Sequence, residues 1–308
     1  MDTKSFVMGY AVGYNDGLDD SGGQPSEDWT PPADWLNVPE PGAWEAYFLV
    51  DMYLLLEFGL YFLNPDKKQP TTGKLTVDWG DGKIESFEGV KEYTSVSHTY
   101  EAEGQYLIKA TVDEQSCILA KTSDYSGRPA IVDSLLIVKL GENICLDYDE
   151  GTHGIGVFRD SKKLCMVKIN GNSKLPQSCF AYCTALKKID FKNPPTIIPR
   201  SCFSNAYCLK ENSIDLSKVT EIEDSAFSYC YSFNKINLLL CTSIGENGFL
   251  SCYTLQSFYA PFCTGLGREC FAYCNSLSEL DVDENCTFGD RCFYDCYNLY
   301  PRPDGSVN

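Results

Sequence analysis

Cysteine offers the most chemistry in this chain, with 16 copies among 308 residues. Thiols can build a disulfide framework, ligate zinc or pack as small apolar side chains, and spacing decides between these roles. No C-x-x-C pair occurs, so a zinc reading is weak. Only 2 His are present, which leaves little from which to build His-based metal sites or catalytic triads. The cysteines instead keep register with phenylalanine. Cys183, Cys230, Cys252, Cys274 and Cys296 each follow a Phe by three residues, and Cys179, Cys202, Cys270 and Cys292 each precede one. Tyrosine keeps the same register. Tyr182, Tyr229 and Tyr273 lie two residues after the Phe, and Tyr207, Tyr231, Tyr253 and Tyr297 lie four after it. Phenol rings give large contact area at low entropy cost, so these seven are a candidate recognition stripe for a glycan or a protein. The alternative is that many of the rings pack between neighbouring turns of chain. There is no nucleophile–base set, phosphate loop or pair of acids in a repeated context, and GTHGIG at Gly151 reads as a turn. No enzyme and no cofactor are expected.

A register shared by three residue types requires a repeating element to hold it. The anchors are Phe158, Phe180, Phe203, Phe227, Phe249, Phe271 and Phe293, with steps of 22, 23, 24, 22, 22 and 22 residues. A period of this length points to leucine-rich-repeat coils. In each coil the anchor and an apolar residue six later (Leu164, Leu186, Leu209, Phe233, Leu255, Leu277, Leu299) are expected to point inward. An alternating pair follows, such as Ile189/Phe191, Ile236/Leu238, Phe258/Ala260 or Leu280/Val282, with the period of a short strand. Stacked strands would form one parallel sheet about 30 Å long. Its outward positions vary from coil to coil, as a reader needs. Lys168, Lys188, Asp190, Lys235, Asn237, Tyr259, Glu279 and Asp281 are therefore candidate binding residues on the sheet face. The five cysteines three after the anchor become a ladder of buried, reduced thiols; disulfides or a metal are the alternatives.

The run I-G-x-x-x-F-x-x-C-x-x-L-x-x-I resembles BspA-type leucine-rich repeats over about 150 residues. The resemblance implies coils that pair a short strand with a turn or short helical segment, and a role in adhesion and recognition without catalysis. Gly156, Gly245, Gly267 and Gly289 keep the opening glycine, while Pro176, Pro199 and Glu223 replace it. The coil after Phe203 carries two extra residues between Leu209 and Ile214 and should bulge.

The first half differs in charge. Of the net −18, residues 155–308 carry −1 and residues 1–154 carry −17. A pI near 4.5 argues against nucleic-acid binding. Leu75, Val77 and Trp79 alternate, Asp81-Gly82 turns, and Tyr106, Ile108, Ala110 and Val112 form a later strand. W-G-D-G followed by H-x-Y and G-x-Y resembles a PKD-type immunoglobulin-like sandwich, which implies a structural place for His98. Asp78 and Asp81 are a weak candidate calcium pair. Residues 46–63 are apolar but hold Asp51 and Glu57, each costing about 3 kcal/mol at mid-bilayer. Two strands, Ala46–Tyr53 and Leu54–Leu63, are expected rather than membrane insertion. The chain start lacks the pattern of a secretion signal.

The order of the K-S-F-x-M-G start, PADWLNVPEPG, the WGDG module and the repeats resembles phage tail-fibre or decoration proteins. Under that resemblance the protein sits in a virion, made in the host cytoplasm, and recognises the host surface through its repeat array; the alternatives are a purely structural virion protein that packs against other particle subunits, or an adhesin at a bacterial cell surface. Expected partners are other virion proteins through the N-terminal segment, a host surface protein or glycan, and further copies in a particle. The division expected is an attachment segment (1–20), a Pro/Gly/acidic linker (21–43), a PKD-like β-sandwich (44–127) and the solenoid (128–308). The solenoid would have a cap over 128–154, with Ile131–Leu140 as a capping strand, about seven coils over 155–300 and a tail over 301–308.

Overall fold

The computed structural model describes residues 30–52, 57–63, 74–88, 94–113, 116–119, 134–146, 156–171 and 174–306. The expected attachment segment and most of the expected linker lie outside these residues. From Pro31 onward the chain forms one compact unit.

Nine strands precede the first coil. They are β1 (Glu45–Met52), β2 (Glu57–Leu63), β3 (Lys74–Asp78), β4 (Ile84–Glu88), β5 (Thr94–Thr99), β6 (Gly104–Val112), β7 (Ser116–Leu119), β8 (Leu135–Leu140) and β9 (Ile144–Cys145). Ala46 to Val50 of β1 are all buried, so both faces of that strand are covered. This explains a membrane-like apolar run without a membrane. No helix among the described residues is long and apolar enough to cross a bilayer. The expected hairpin is present: β3 pairs β4 antiparallel, and Gly80 and Gly82 carry the positive φ of the turn between them. A Cβ at Gly80 would stand 2.7 Å from the Leu107 carbonyl, so only glycine fits.

The coils contribute β10 (Met166–Ile169), β11 (Lys188–Phe191), β12 (Ile197–Ile198), β13 (Glu221–Ile222), β14 (Lys235–Asn237), β15 (Ser243–Ile244), β16 (Ser257–Ala260), β17 (Gly265–Leu266), β18 (Glu279–Val282) and β19 (Thr287–Phe288). Of the expected capping strand, Ile131–Leu140, the last six residues form β8, and residues 131–133 lie outside the described residues. β8 pairs antiparallel with β1 (Phe48 opposite Val138) and parallel with β10 (Val138 beside Val167). One sheet, β11-β10-β8-β1-β6-β3-β4, therefore runs from the N-terminal strands into the first coils.

Three expectations about the solenoid are corrected. A single parallel sheet does not run its length. The long-strand side breaks between β11 and β14 at the coil with two extra residues, leaving β14-β16-β18 as a separate sheet. A second parallel sheet, β12-β13-β15-β17-β19, lies on another side of the stack, from strands of two residues each. The segments around the anchors are turns, and no helix occurs among the described residues. Backbone conformation explains the last point. The residue two after the anchor is left-handed in every coil (Asp160, Tyr182, Asn205, Tyr229, Ser251, Tyr273, Asp295). So is the residue two before it from the second coil onward (Ser178, Ser201, Ser225, Asn247, Glu269, Arg291). Two left-handed residues four apart prevent helical propagation.

Candidate functional site

The second to sixth coils each donate three backbone N–H groups to the next, from the anchor and from the residues two before and two after it, and the first coil donates two, from Phe158 and Asp160. For Phe227 the set is Ser225 to Glu246, Phe227 to Gly248 and Tyr229 to Leu250, and the whole series spans 2.7–2.9 Å. These bonds hold the left-handed residues, which otherwise cost about 1–2 kcal/mol each. They also set the coil pitch. The seven anchor rings stack nearly parallel, with centroids 5.3–5.9 Å apart. Each such pair contributes about 0.5–1.5 kcal/mol beyond its burial.

The expected thiol ladder is present. Cys183, Cys230, Cys252, Cys274 and Cys296 are fully buried, and the fourteen cysteines whose side chains the structure describes are free. Each ladder thiol donates to the anchor carbonyl of the preceding coil at 3.0–3.2 Å: Phe158, Phe203, Phe227, Phe249 and Phe271 respectively. A small side chain with a weak donor suits this place, which is more specific than packing alone. Ser161 holds the same position in the first coil. Its hydroxyl is buried and has no partner among the described residues, because no earlier anchor lies beneath it. Burial pushes the Cys252 and Cys296 thiols up to about 12, so both stay protonated.

The tyrosines separate into two groups. Tyr207, Tyr231 and Tyr253 occupy consecutive coils and stack on each other at 4.9 and 5.2 Å. Their faces are taken up by one another, so these three pack between coils. Asn275 interrupts that column, and Tyr297 stands beyond it, 57% exposed. Tyr182, Tyr229 and Tyr273 instead occupy alternate coils, with Asn205 and Ser251 between them. Tyr182 is 39% and Tyr273 37% exposed, and Tyr229 is half-buried. Ser251 is buried at the floor between its two neighbours. The row has built ends: the Arg159 guanidinium lies 5.3 Å from the Tyr182 ring centre, and the Tyr294 ring meets Tyr273 edge-on at 5.4 Å.

The sheet-face candidates do not form one site. Lys168 pairs with Glu40 at 2.7 Å and approaches Asp190 at 3.7 Å. Lys168 and Asp190 line an open cleft of about 500 Å³ with Pro41, Ala43, Glu142, Asn170 and Lys192. Lys188 is half-buried on the same sheet. Lys235, Asn237, Tyr259, Glu279 and Asp281 lie beyond the break, on the separate three-stranded sheet, and are exposed. The two extra residues between Leu209 and Ile214 thus split the candidate face in two.

A family model for the BspA type leucine rich repeat region matches residues 151–234 and 173–300, in six copies. Residues 151–300 are BspA-type leucine-rich repeats. Among solved structures, the chain is similar to a leucine-rich repeat protein from Bacteroides ovatus ATCC 8483, at 26% identity and a TM-score of 0.43. That match covers 53% of this chain and 44% of the other. It is also similar to a leucine rich cell surface protein from Faecalibacterium prausnitzii A2-165, at 21% identity and a TM-score of 0.42, covering 61% and 49%. The chain spans about half the length of these structures or less. A search of curated proteins gave no match.

The BspA-type glycines have a contact reason. A Cβ on Gly267 would stand 2.5 Å from the Glu246 backbone nitrogen of the preceding coil. Outside the repeats, the carboxylates of Asp78 and Asp81 serve the β3–β4 turn. Asp78 accepts from the Gly80 N–H, and Asp81 accepts from the Lys83 N–H and contacts His98 Nε2 at 2.8 Å. No group of three or more His, Cys, Asp or Glu placed to hold a metal occurs among the described residues. His98 stacks on Trp79 at 4.9 Å and meets Tyr100 edge-on, and the Tyr100 hydroxyl donates to the Trp79 carbonyl. Two features of the repeats escaped the sequence reading. Thr220, Thr242 and Thr264 each donate a hydroxyl to the carbonyl of the threonine one coil earlier. Cys241, Cys263 and Cys286 form a second thiol column, in which Cys263 contacts both neighbours and is held below the usual thiol range by their S–H groups.

Proposed function

We propose that this protein is a non-enzymatic recognition protein whose BspA-type array docks its ligand on the Tyr182–Tyr229–Tyr273 row. The carrying observation is the alternation of solvent-reaching rings, two exposed and Tyr229 half-buried, with smaller residues. Every other aromatic column in the array is consumed by packing, as the Phe anchors and the Tyr207–Tyr231–Tyr253 stack illustrate. A rigid backbone beneath the row supports recognition, because little ordering entropy remains to be lost on binding.

The array suits an adhesin-like role at a surface. The BspA-type repeats favour a bacterial cell surface. The placement in a phage particle rests on the strings within residues 4–42 and their order before the WGDG module and the repeats. Mass spectrometry of purified virions and fractionation of producing cells separate these two locations. The cluster of Trp79, Asp81, His98 and Tyr100 supports a PKD-like reading of the N-terminal module.

The test of the reading is binding of the protein to intact candidate cells, with Tyr229→Ala/Tyr273→Ala beside wild type. The double variant is expected to lose at least tenfold in apparent affinity at unchanged circular dichroism. Wild-type binding by that variant would remove the row from the function.

A further inference from the structure

We propose that the Tyr row binds an extended, uncharged β(1→4)-linked glycan, with alternate sugars stacked on Tyr182, Tyr229 and Tyr273 and the intervening sugars over the notches floored by Asn205 and Ser251. The inference rests on the row being the docking surface, and it names the ligand class.

Spacing is the first argument. Rings on alternate coils are two strand spacings apart, about 10 Å. That length matches the disaccharide repeat of an extended β(1→4)-linked chain, in which every second sugar presents the same face. A column with rings on consecutive coils cannot do this. Tyr207, Tyr231 and Tyr253 stack on each other at 4.9 and 5.2 Å and leave no room for an inserted sugar.

Shape is the second argument. The row runs along the stack axis and is bounded by Arg159 at one end and Tyr294 at the other. A short linear segment fits it better than a globular surface. Tyrosine offers an apolar ring face for the C–H side of a pyranose and a hydroxyl for its rim, so one residue type meets both parts of a sugar. The backbone of all five row residues is fixed by donation to the next coil at 2.8 Å or less, which pre-organises the spacing.

Charge is the third argument. The ions around the row are paired with each other. Arg159 is 3.4 Å from Asp160, and Arg268 and Arg291 lie 3.2 and 3.3 Å from Glu269. The whole of residues 155–308 carries −1. With these three guanidinium groups paired, the electrostatic complement of the row is a neutral ligand.

The experiment is isothermal titration of the full chain with cellohexaose and chitohexaose, and with the matching disaccharides. At least one hexasaccharide should bind, at least tenfold more tightly than its disaccharide. Tyr229→Ala should weaken that binding tenfold or more. Ser251→Tyr should also weaken it, because it turns an alternating row into a consecutive one; it adds an aromatic ring, so mere loss of surface cannot explain its effect. Thermal melts confirm that both variants fold. If neither hexasaccharide binds the folded wild-type protein, or both variants bind like wild type, the glycan assignment is overturned. If binding to cells still depends on the Tyr row while both hexasaccharides fail, the ligand class is wrong and the docking row stands.

Discussion

The Cys252 thiol donates to the Phe227 carbonyl one coil back, at 3.2 Å. The same carbonyl accepts the Cys230 N–H at 3.3 Å within its own coil. Side chain and backbone of two coils thus meet on one oxygen. Cys252→Ala removes the thiol but leaves that carbonyl with a partner. It should cost about 1–3 kcal/mol, from lost packing and one weak hydrogen bond. Cys252→Val keeps apolar character but adds branched volume in a stack whose pitch is fixed, and should cost about the same. Urea unfolding curves would measure both. A cost near zero for the alanine variant would show that the ladder is ornamental.

Thiol labelling should follow burial. Cys252 and Cys296 are pushed up to about 12 by desolvation, and Cys183, Cys230 and Cys274 are raised by the same cause. At pH 8 the folded protein should therefore leave all five unmodified by iodoacetamide, and all five should react once the chain is unfolded. Peptide mapping by mass spectrometry gives the answer residue by residue.

Acid should loosen the β3–β4 turn. Burial alone would raise the Asp81 carboxyl, but the His98 contact, the Lys83 N–H and the charges of both residues outweigh it and hold the group below its ordinary value. A depressed folded value means that the stabilisation is complete above the unfolded value of about 3.9 and is lost as pH falls through the folded one. Trp79 stacks on His98 and reports this region. Its fluorescence should change below about pH 4. Asp81→Asn should be less stable than wild type at neutral pH, and the gap should close towards pH 3. A gap independent of pH would assign the effect to something other than this carboxylate.

Backbone conformation makes opposite predictions for positions in two coils. Ser225 has φ 57°, a conformation glycine adopts freely. Ser225→Gly should change stability by no more than about 1 kcal/mol, with relief of strain offsetting the extra freedom of the unfolded chain. Gly267→Ala places a Cβ 2.5 Å from the Glu246 nitrogen and should force the coils apart. A loss of at least 2 kcal/mol is expected. Thermal melts of the two variants test the pair together.

Much of the stack was legible because its period is written in bulky residues. Phe180 and Phe203 reveal the coil length, and Cys183 and Leu186 reveal the inward side. The capping strand was legible from the apolar run at Leu135–Leu140. The second sheet was not. A strand of two residues such as β13 contains one inward and one outward side chain, too few to show an alternation. The left-handed turns were hidden because Ser225, Glu269 and Arg291 are not types that advertise positive φ; the next coil's carbonyls hold them there. The two Tyr groups share a fixed register to the anchor, and only recurrence on consecutive or alternate coils separates them. That difference is present in the sequence at Asn205 and Ser251.

The hydrogen bonds donated by the anchors and by the residues two before and two after them all point one way: N–H of one coil to C=O of the next, towards the C-terminus. Aligned peptide dipoles add, as they do along a helix axis. In an α-helix the N–H groups face the N-terminal end and make it positive, whereas here they face the last coils, so this edge of the solenoid is polarised in the reverse sense. Asp290 and Asp295 stand at that positive pole. The anchor edge beneath the Tyr row is therefore polarised in a direction fixed by backbone geometry, whichever side chains the coils display there, while the strand-side bonds, such as Gly245 to Ile222, run the other way.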